Sequence, residues 1–190
     1  LTNEETSCGW VENFQRIQIP MIFEDVLPLG IVGSINAEGG TGKTFFMISM
    51  FVCASTGIPW GPFKPTRPQK CLLLLAEDPQ DVLKNRIFDT MNALVPASHR
   101  ELFKENFHFA ALRGKAGPLL QLENGNPSPT KWAKWVEDSI AAHPGVTMVG
   151  VDPLRKFLGL EENKNEFAHA FVALLEEISE RLTVTNIFVH

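Results

Sequence analysis

The 190-residue sequence has no long hydrophobic run. Its longest apolar stretch, FFMISMFVCA at residues 45–54, reaches about half of the roughly 20 residues that a bilayer-spanning helix needs. We also find no segment with the order of charged, apolar and small residues that marks a secretory signal. The sequence therefore predicts neither a membrane span nor a signal peptide, and we expect a cytoplasmic protein without a membrane partner.

Cysteine is scarce as well. The three cysteines, Cys8, Cys53 and Cys71, are odd in number and show no CxxC spacing, which argues against a disulfide framework. Two of them, Cys53 and Cys71, fall within predicted core elements. We expect reduced, buried thiols, as is usual for intracellular proteins.

An excess of positive charge is also missing, since 17 Lys and Arg face 22 Asp and Glu and the net charge is −5. Nucleic acid or an anionic lipid surface would therefore have to be bound by a local patch or by an assembly. The rest of the composition, 44% hydrophobic and 21% charged, is typical of a globular protein, and the length suits one α/β domain.

What the sequence does contain is an apolar segment that changes abruptly into glycines, SINAEGGTGKTFFMISMF at residues 34–51. Residues 29–37 have the character of a short buried strand, and an apolar face at helical spacing follows Gly42 and continues through Ala54. A strand, a glycine loop and a helix in this order can hold a phosphate, because the first turn of a helix presents unpaired N–H groups to an anion.

The loop fits the G-x-x-x-x-G-K-[ST] pattern except at its first position, where small Ala37 replaces glycine. Lys43 is predicted to reach the β- and γ-phosphates of ATP, and the Thr44 hydroxyl to bind Mg²⁺. An incidental solvated turn is the alternative, but the strand and helix on either side favour nucleotide binding. The predicted nucleotide-binding residues are Glu38, Gly39, Gly40, Thr41, Gly42, Lys43, Thr44 and Phe45.

The rest of the chain alternates between apolar runs and amphipathic segments. Further strands are predicted at residues 71–76, 107–112, 146–152 and 185–190, and helices at 79–94, 98–103, 131–143 and 165–182. Proline- and glycine-rich residues 56–70 indicate an irregular surface loop, and residues 113–130 a long loop or hairpin. Such alternation is typical of an α/β fold with a parallel sheet covered by helices on both faces.

Ligands of parallel sheets bind at the carboxyl ends of the strands, and acidic residues stand at two of these ends. Asp152 closes one strand, where a buried carboxylate needs a partner that Mg²⁺ could supply; the alternative is an Asp that begins a turn before Pro153. Glu77 closes another strand and is predicted to polarise the attacking water, with helix capping as the alternative. Its neighbour Asp78 is predicted to cap the following helix.

His190 closes the last predicted strand. A polar side chain at that position could sense the γ-phosphate, and an ordinary terminal histidine is an equally good interpretation.

Four segments together, AEGGTGKT, LLLLAEDP, VGVDPLRKFLGLEENKNE and NIFVH, resemble the RecA-superfamily phosphate-loop ATPases. The resemblance is closest to the RepA-like hexameric replicative helicases of plasmids, with their AAA-type domain, and covers about residues 22–190. The AEDP segment and the D-x-L-R-[KR]-F segment are more specific than the phosphate loop itself.

This resemblance implies a RecA-like three-layer α/β/α sandwich, in which the phosphate-loop strand lies beside the His190 strand, followed by the Asp152 and Glu77 strands. It implies ATP hydrolysis with Mg²⁺, Glu77 as catalytic base, Asp152 at the metal and His190 as γ-phosphate sensor. It further implies a homo-hexamer acting on single-stranded DNA in replication, as a helicase or related motor. Residues 1–28 are then a lead-in segment and residues 29–190 the ATPase core.

The family's final strands and the arginine donated to a neighbouring subunit are not found in the sequence, so we expect a truncated or partly ordered chain. Arg155 and Lys156 are candidates for contacts at the subunit boundary, or solvated loop residues. Trp60 and Phe63 could contact the base or form an apolar lid on the sheet.

Two other functions stay open. One is a small-molecule kinase, for which Arg113 and Arg155 lie in suitable loops. The other is an ATPase switch with a protein partner.

Overall fold

The computed structural model describes residues 11, 14–159 and 165–190, so Cys8 lies outside the described residues. Its strands are β1 (Met21–Phe23), β2 (Leu27–Pro28), β3 (Val32–Ile35), β4 (Lys70–Leu75), β5 (Phe107–Ala111), β6 (Leu120–Glu123), β7 (Asn126–Pro129), β8 (Val146–Asp152) and β9 (Thr185–Val189). Five strands form a parallel sheet in the order β3-β9-β8-β4-β5. The predicted strand order is therefore confirmed.

The helices are α1 (Lys43–Thr56), α2 (Gln80–Leu94), α3 (Arg100–Asn106), α4 (Lys131–Ala141), α5 (Leu154–Leu158) and α6 (Asn165–Leu182), with a 3₁₀ turn at Ala97–His99. Side chains of α1, α2 and α3 pack on one face of the sheet. Those of α4, α5 and α6 pack on the other face. The fold is thus an α/β/α sandwich of the RecA-like phosphate-loop type, as predicted. Among the described helices, none is long and apolar enough to cross a membrane.

The sequence of strand β4 is an uninterrupted apolar run because both faces of the strand are buried. Leu72 and Leu74 contribute to the core on the α6 side, whereas Leu73 and Leu75 contribute to the core on the α1 side. Successive side chains of a strand point to opposite faces, and here both faces are covered by helices. An alternating polar pattern would have left one of the two cores incomplete.

A glycine in β8 allows α1 to approach the sheet closely. A Cβ atom at Gly150 would lie 2.4 Å from Leu73 Cδ2 and 2.8 Å from Phe51 Cζ. Because side chains two residues apart share a face, Asp152 points to the same side of the sheet as Gly150. The close packing of α1 therefore brings the start of this helix to the Asp152 carboxylate.

The structure adds detail to the lead-in segment and the loops. Strands β1 and β2 form a hairpin, and Ile22 and Phe23 are buried in the α1-side core. Residues 14–20 are exposed. Strands β6 and β7 form the hairpin predicted for residues 113–130, and the predicted strand at 29–37 is shortened to the four residues of β3.

The two described cysteines are buried free thiols, as predicted. Burial raises the pKa of the Cys53 thiol to about 12. Burial also raises the pKa of Cys71. Both thiols are therefore protonated and packed as small apolar groups.

Candidate active site

A cavity of about 690 Å³ opens at the carboxyl end of the sheet, a volume typical of small-ligand sites. It is bounded by the phosphate loop and the ends of β4, β8 and β9. Its lining residues are Ala37, Gly39, Gly40, Gly42, Lys43, Thr44, Phe45, Glu77, Asp78, Arg86, Asp152, Pro153, Leu154, Arg155, Val189 and His190.

The loop between β3 and α1 has the backbone that a phosphate loop requires. Gly40 and Gly42 have φ angles of 79° and 88°, in the left-handed region that favours glycine. Gly42 directly precedes α1 and makes no side-chain cap. The first N–H groups of α1 therefore need partners from outside the helix, and the residues that carry them line the cavity.

The side chain of Lys43 folds over this loop. Its ammonium group donates to the carbonyl oxygen of Ala37 and, at 2.9 Å, to that of Glu38. The Thr41 hydroxyl donates to the same Glu38 carbonyl at 2.8 Å. Glu38 and Thr41 are not part of the cavity lining, so their contribution here is to shape the loop.

Thr44 and Asp152 form the most buried polar contact of the cavity. The Thr44 hydroxyl donates to Asp152 Oδ2 at 2.6 Å, and Asp152 is only 3% exposed. Burial raises the pKa of the Asp152 carboxyl above its ordinary value, and the bond from Thr44 partly opposes this rise. A buried carboxylate beside a hydroxyl is a pair of oxygen ligands of the kind that Mg²⁺ prefers.

Glu77 and Asp78, which follow β4, are each paired with an arginine. Glu77 Oε1 accepts from Arg155 Nη2 at 2.5 Å, and both side chains stay at least half exposed. Asp78 accepts from Arg86 of α2. The predicted capping role of Asp78 is therefore wrong: α2 begins at Gln80 after Pro79, without a side-chain cap.

The model of a family described as "AAA domain" matches residues 4–190. The chain belongs to this AAA domain family. AAA-type domains are nucleotide-dependent ATPases, and this assigns nucleotide binding and ATPase activity in general to the chain. A search of curated proteins gives no match.

Arg86 is a residue of the AAA domain's cavity that sequence reasoning missed. Its guanidinium carbon lies 5.4 Å from the ring centroid of Phe45, so one side chain holds both Asp78 and the last predicted residue of the phosphate loop. The spacing carries one signal, since Arg86 lies in the second turn of the helix that follows Asp78. The contact with Phe45 has no counterpart in sequence spacing.

His190 lies in the cavity lining of the AAA domain, and its backbone is tied to the neighbouring strand and loop. Its N–H donates to the Ile35 carbonyl at 3.0 Å, and its own carbonyl accepts from Ala37 at 3.4 Å. The residue after β9 is thereby held against the first residue of the phosphate loop.

The aromatic candidates occupy a different place. The rings of Trp60 and Phe63 stack on each other with centroids 5.9 Å apart, and both contact Phe46 of α1. Neither ring lines the cavity. Their contacts are those of an apolar cover over α1. Arg113 and Lys156 line a second, neighbouring cavity, and Arg155 lines both.

Proposed function

We propose that this AAA domain hydrolyses ATP with Mg²⁺ as the motor of a ring-forming DNA helicase, or of a related DNA-linked machine, of the RepA-like type. The observation that carries the proposal is the Thr44–Asp152 pair, whose Oγ1 and Oδ2 atoms lie 2.6 Å apart. The pair lies where the phosphate loop leads into α1, in a cavity that is also lined by Glu77. Phosphate binding, metal binding and water activation thus have candidate residues in one cavity.

Nucleotide binding is assigned to the loop from Glu38 to Phe45. The backbone N–H groups at the start of α1 would take the phosphate oxygens, and the helix dipole favours the same charge. Lys43 has three donors, of which the loop carbonyls occupy two. It would exchange these carbonyls for phosphate oxygens and so place its charge where negative charge develops during transfer.

Thr44 and Asp152 would hold Mg²⁺, which when bound neutralises negative charge on the phosphates. The fit rests on burial, because a carboxylate that is 3% exposed is costly to keep ionised without a cation. The chain's own contribution is a fixed pair of oxygens between α1 and β8.

Glu77 is proposed as the base that orients and polarises the attacking water, a role worth about 10²- to 10⁴-fold in rate. Its carboxylate is half exposed and lines the cavity, so water can reach it. His190, at the far side of the lining, is proposed as the sensor of the γ-phosphate.

A hexameric ring and a single-stranded DNA partner are supported by the resemblance of the DPLRKF segment at residues 152–157. A small-molecule kinase is the second candidate, because two arginines of the chain itself, Arg86 and Arg155, line the cavity. Both are paired with carboxylates, which favours the ATPase. Hydrolysis without any acceptor, and stimulation of that hydrolysis by single-stranded DNA, would separate the two.

The direct test of the site is Lys43→Ala, with exposed Lys84→Ala on α2 as the matched control. Lys43→Ala should bring Mg-ATP binding or turnover to background while the circular dichroism spectrum stays unchanged, because among the described residues the side chain bonds only to loop carbonyls. Lys84→Ala should behave as the wild type. If Lys43→Ala binds and hydrolyses Mg-ATP at wild-type levels, the proposal is wrong.

A further inference from the structure

A second cavity of about 530 Å³ lies directly beside the first. Its charged lining consists of Arg113, Arg155, Lys156 and Glu77. Three cations thus face one carboxylate, and Arg155 already pairs with that carboxylate at 2.5 Å. Within the part of the chain that the structure describes, no ion pair involves Arg113 or Lys156. The cavity therefore carries a net positive charge that the described residues do not neutralise.

The cationic residues are held on ordered backbone. Arg113 follows β5, where the N–H of Leu112 donates to the Leu75 carbonyl at 2.7 Å and the next turn closes back on the Leu112 carbonyl. Lys156 lies on α5, and its N–H donates to the Pro153 carbonyl at 3.1 Å. Positive groups on fixed elements lose less entropy on binding an anion than groups on a free loop.

The Glu77–Arg155 ion pair forms the wall between the two cavities, since both residues line both of them. The Arg155 side chain is 59% exposed and that of Glu77 is 50% exposed, so this pair adds little stability. A guanidinium also binds a phosphate group through two parallel hydrogen bonds. A phosphate in the second cavity would therefore compete with Glu77 for Arg155.

We propose that the second cavity is a phosphate-binding site formed by Arg113, Arg155 and Lys156, and that its occupation draws Arg155 away from Glu77. The site itself stands on the geometry of the cavity. The consequence for catalysis rests on the proposed function, because it takes Glu77 to be the base. A released Glu77 is free to orient water, so occupation of the second cavity should speed hydrolysis.

The binding test uses the 190-residue chain with Lys43→Ala, so that the phosphate loop does not compete for the probe. Inorganic phosphate and the oligonucleotide (dT)10 are titrated separately by calorimetry. Adding Arg113→Ala and Lys156→Ala should weaken binding of at least one probe by about 10-fold or more, since hydrogen bonds to charged groups are worth roughly 1.5–3 kcal/mol. Lys115→Ala, an exposed cation of the same turn outside the cavity lining, should leave binding unchanged.

The two probes identify the source of the phosphate. An effect on inorganic phosphate shows that a free phosphate group is sufficient. An effect confined to (dT)10 points to the phosphodiester backbone, and the slope of log K against log salt should then fall by about 1.4 for two lost contacts. The site is overturned if the double variant binds both probes as tightly as the Lys43→Ala parent does, or if the parent binds neither probe.

The coupling test keeps Lys43 and follows a single turnover of prebound ATP with and without the effective probe. The probe should raise the rate in the wild type and in Lys115→Ala but not in the Arg113→Ala, Lys156→Ala variant. A rate that the probe leaves unchanged in the wild type overturns the coupling. If no protein hydrolyses ATP while phosphate binding still depends on Arg113 and Lys156, the proposed function fails and the phosphate site stands.

Discussion

Asp152 combines an ionisable side chain with almost complete burial. It is 3% exposed, and burial raises its pKa. The carboxylates of Glu77 and Asp78 raise it further. The hydroxyl of Thr44 supplies one hydrogen bond but no positive charge. The ionised Asp152 carboxylate lowers the stability of the fold. A buried group that costs stability in this way is typical of a functional site.

Asp152→Asn should therefore raise the thermal unfolding midpoint at neutral pH without nucleotide. The pKa of Asp152 is higher in the folded than in the unfolded chain, so ionisation destabilises the fold at pH values above the folded-state pKa. The advantage of the variant should be greatest above the folded-state pKa and should shrink as the pH falls from there toward the lower, unfolded-state pKa. Thermal melts over a pH series measure the difference in unfolding midpoint between the variant and the wild type, with exposed Asp81→Asn as the control.

The same variant should lose the stabilisation that Mg-ATP gives to the wild type, because ligand binding to the folded state raises its stability. An Asp152→Asn variant that is less stable than the wild type at neutral pH would show that the carboxylate supports the fold instead.

Glu77→Gln tests the assignment of the base. Glutamine keeps the shape and hydrogen bonding of the side chain but not the charge that polarises water. Mg-ATP affinity should stay within a few-fold, while turnover should fall by about 10²-fold or more. Equilibrium nucleotide binding and steady-state hydrolysis, measured on the same preparation, separate the two effects.

Exposed Asp81→Asn in the first turn of α2 is the control for this change and should retain turnover. If Glu77 serves only its ion pair with Arg155, the exchange should cost about 1 kcal/mol of stability or less and leave hydrolysis intact. That result would remove Glu77 from the mechanism.

At the scale of elements, the site depends on how closely α1 packs on β8. The helix carries Thr44 and the strand carries Asp152, and Gly150 sets the distance between the two elements because a side chain there would meet Leu73 and Phe51. The residue that positions Thr44 and Asp152, the proposed metal-binding pair, thus lies in the core, away from the cavity.

Gly150→Ala should lower the free energy of unfolding by about 1–3 kcal/mol, as overpacking of a core does. It should also weaken Mg-ATP binding, since α1 must move away from the Asp152 strand. Urea unfolding and nucleotide titration give the two quantities.

The comparison variant is Gly117→Ala, whose new Cβ would lie 2.0 Å from Trp132 Nε1. It should lose stability without a change in Mg-ATP affinity, because Trp132 packs on the face of the sheet opposite α1. Equal losses of affinity in both variants would show that general destabilisation, and not the spacing of α1 and β8, controls binding.

At the scale of the whole molecule, a ring ATPase takes an arginine from the neighbouring subunit, and that group is worth roughly 10³- to 10⁵-fold in rate. Diluted until its native mass is that of a monomer, the 190-residue chain should bind Mg-ATP but hydrolyse it slowly. Native mass with and without ATP, and hydrolysis with and without single-stranded DNA, measure this. Fast turnover by a monomer that is indifferent to DNA would favour a self-sufficient ATPase or a kinase.

Features that depend on neighbours along the chain could be predicted from the sequence. The phosphate loop around Lys43 follows from glycines between a strand and a helix, and the α/β/α sandwich follows from apolar runs that alternate with amphipathic helices. Asp152 and Glu77 could be placed at one edge of the sheet because parallel strands end on the same side.

The partners of individual side chains were decided by tertiary structure. Asp78 was predicted to cap α2, yet it pairs with Arg86. A side-chain helix cap and an ion pair contribute similar free energies. The position of α2 relative to Asp78 therefore decides which of the two forms. Glu77 and Arg155 are 78 residues apart, and their pairing requires β4 and β8 to be adjacent in the sheet. The local sequence determines which groups stand at the ends of elements, whereas the packing of elements sets the few ångströms that decide which of these groups meet.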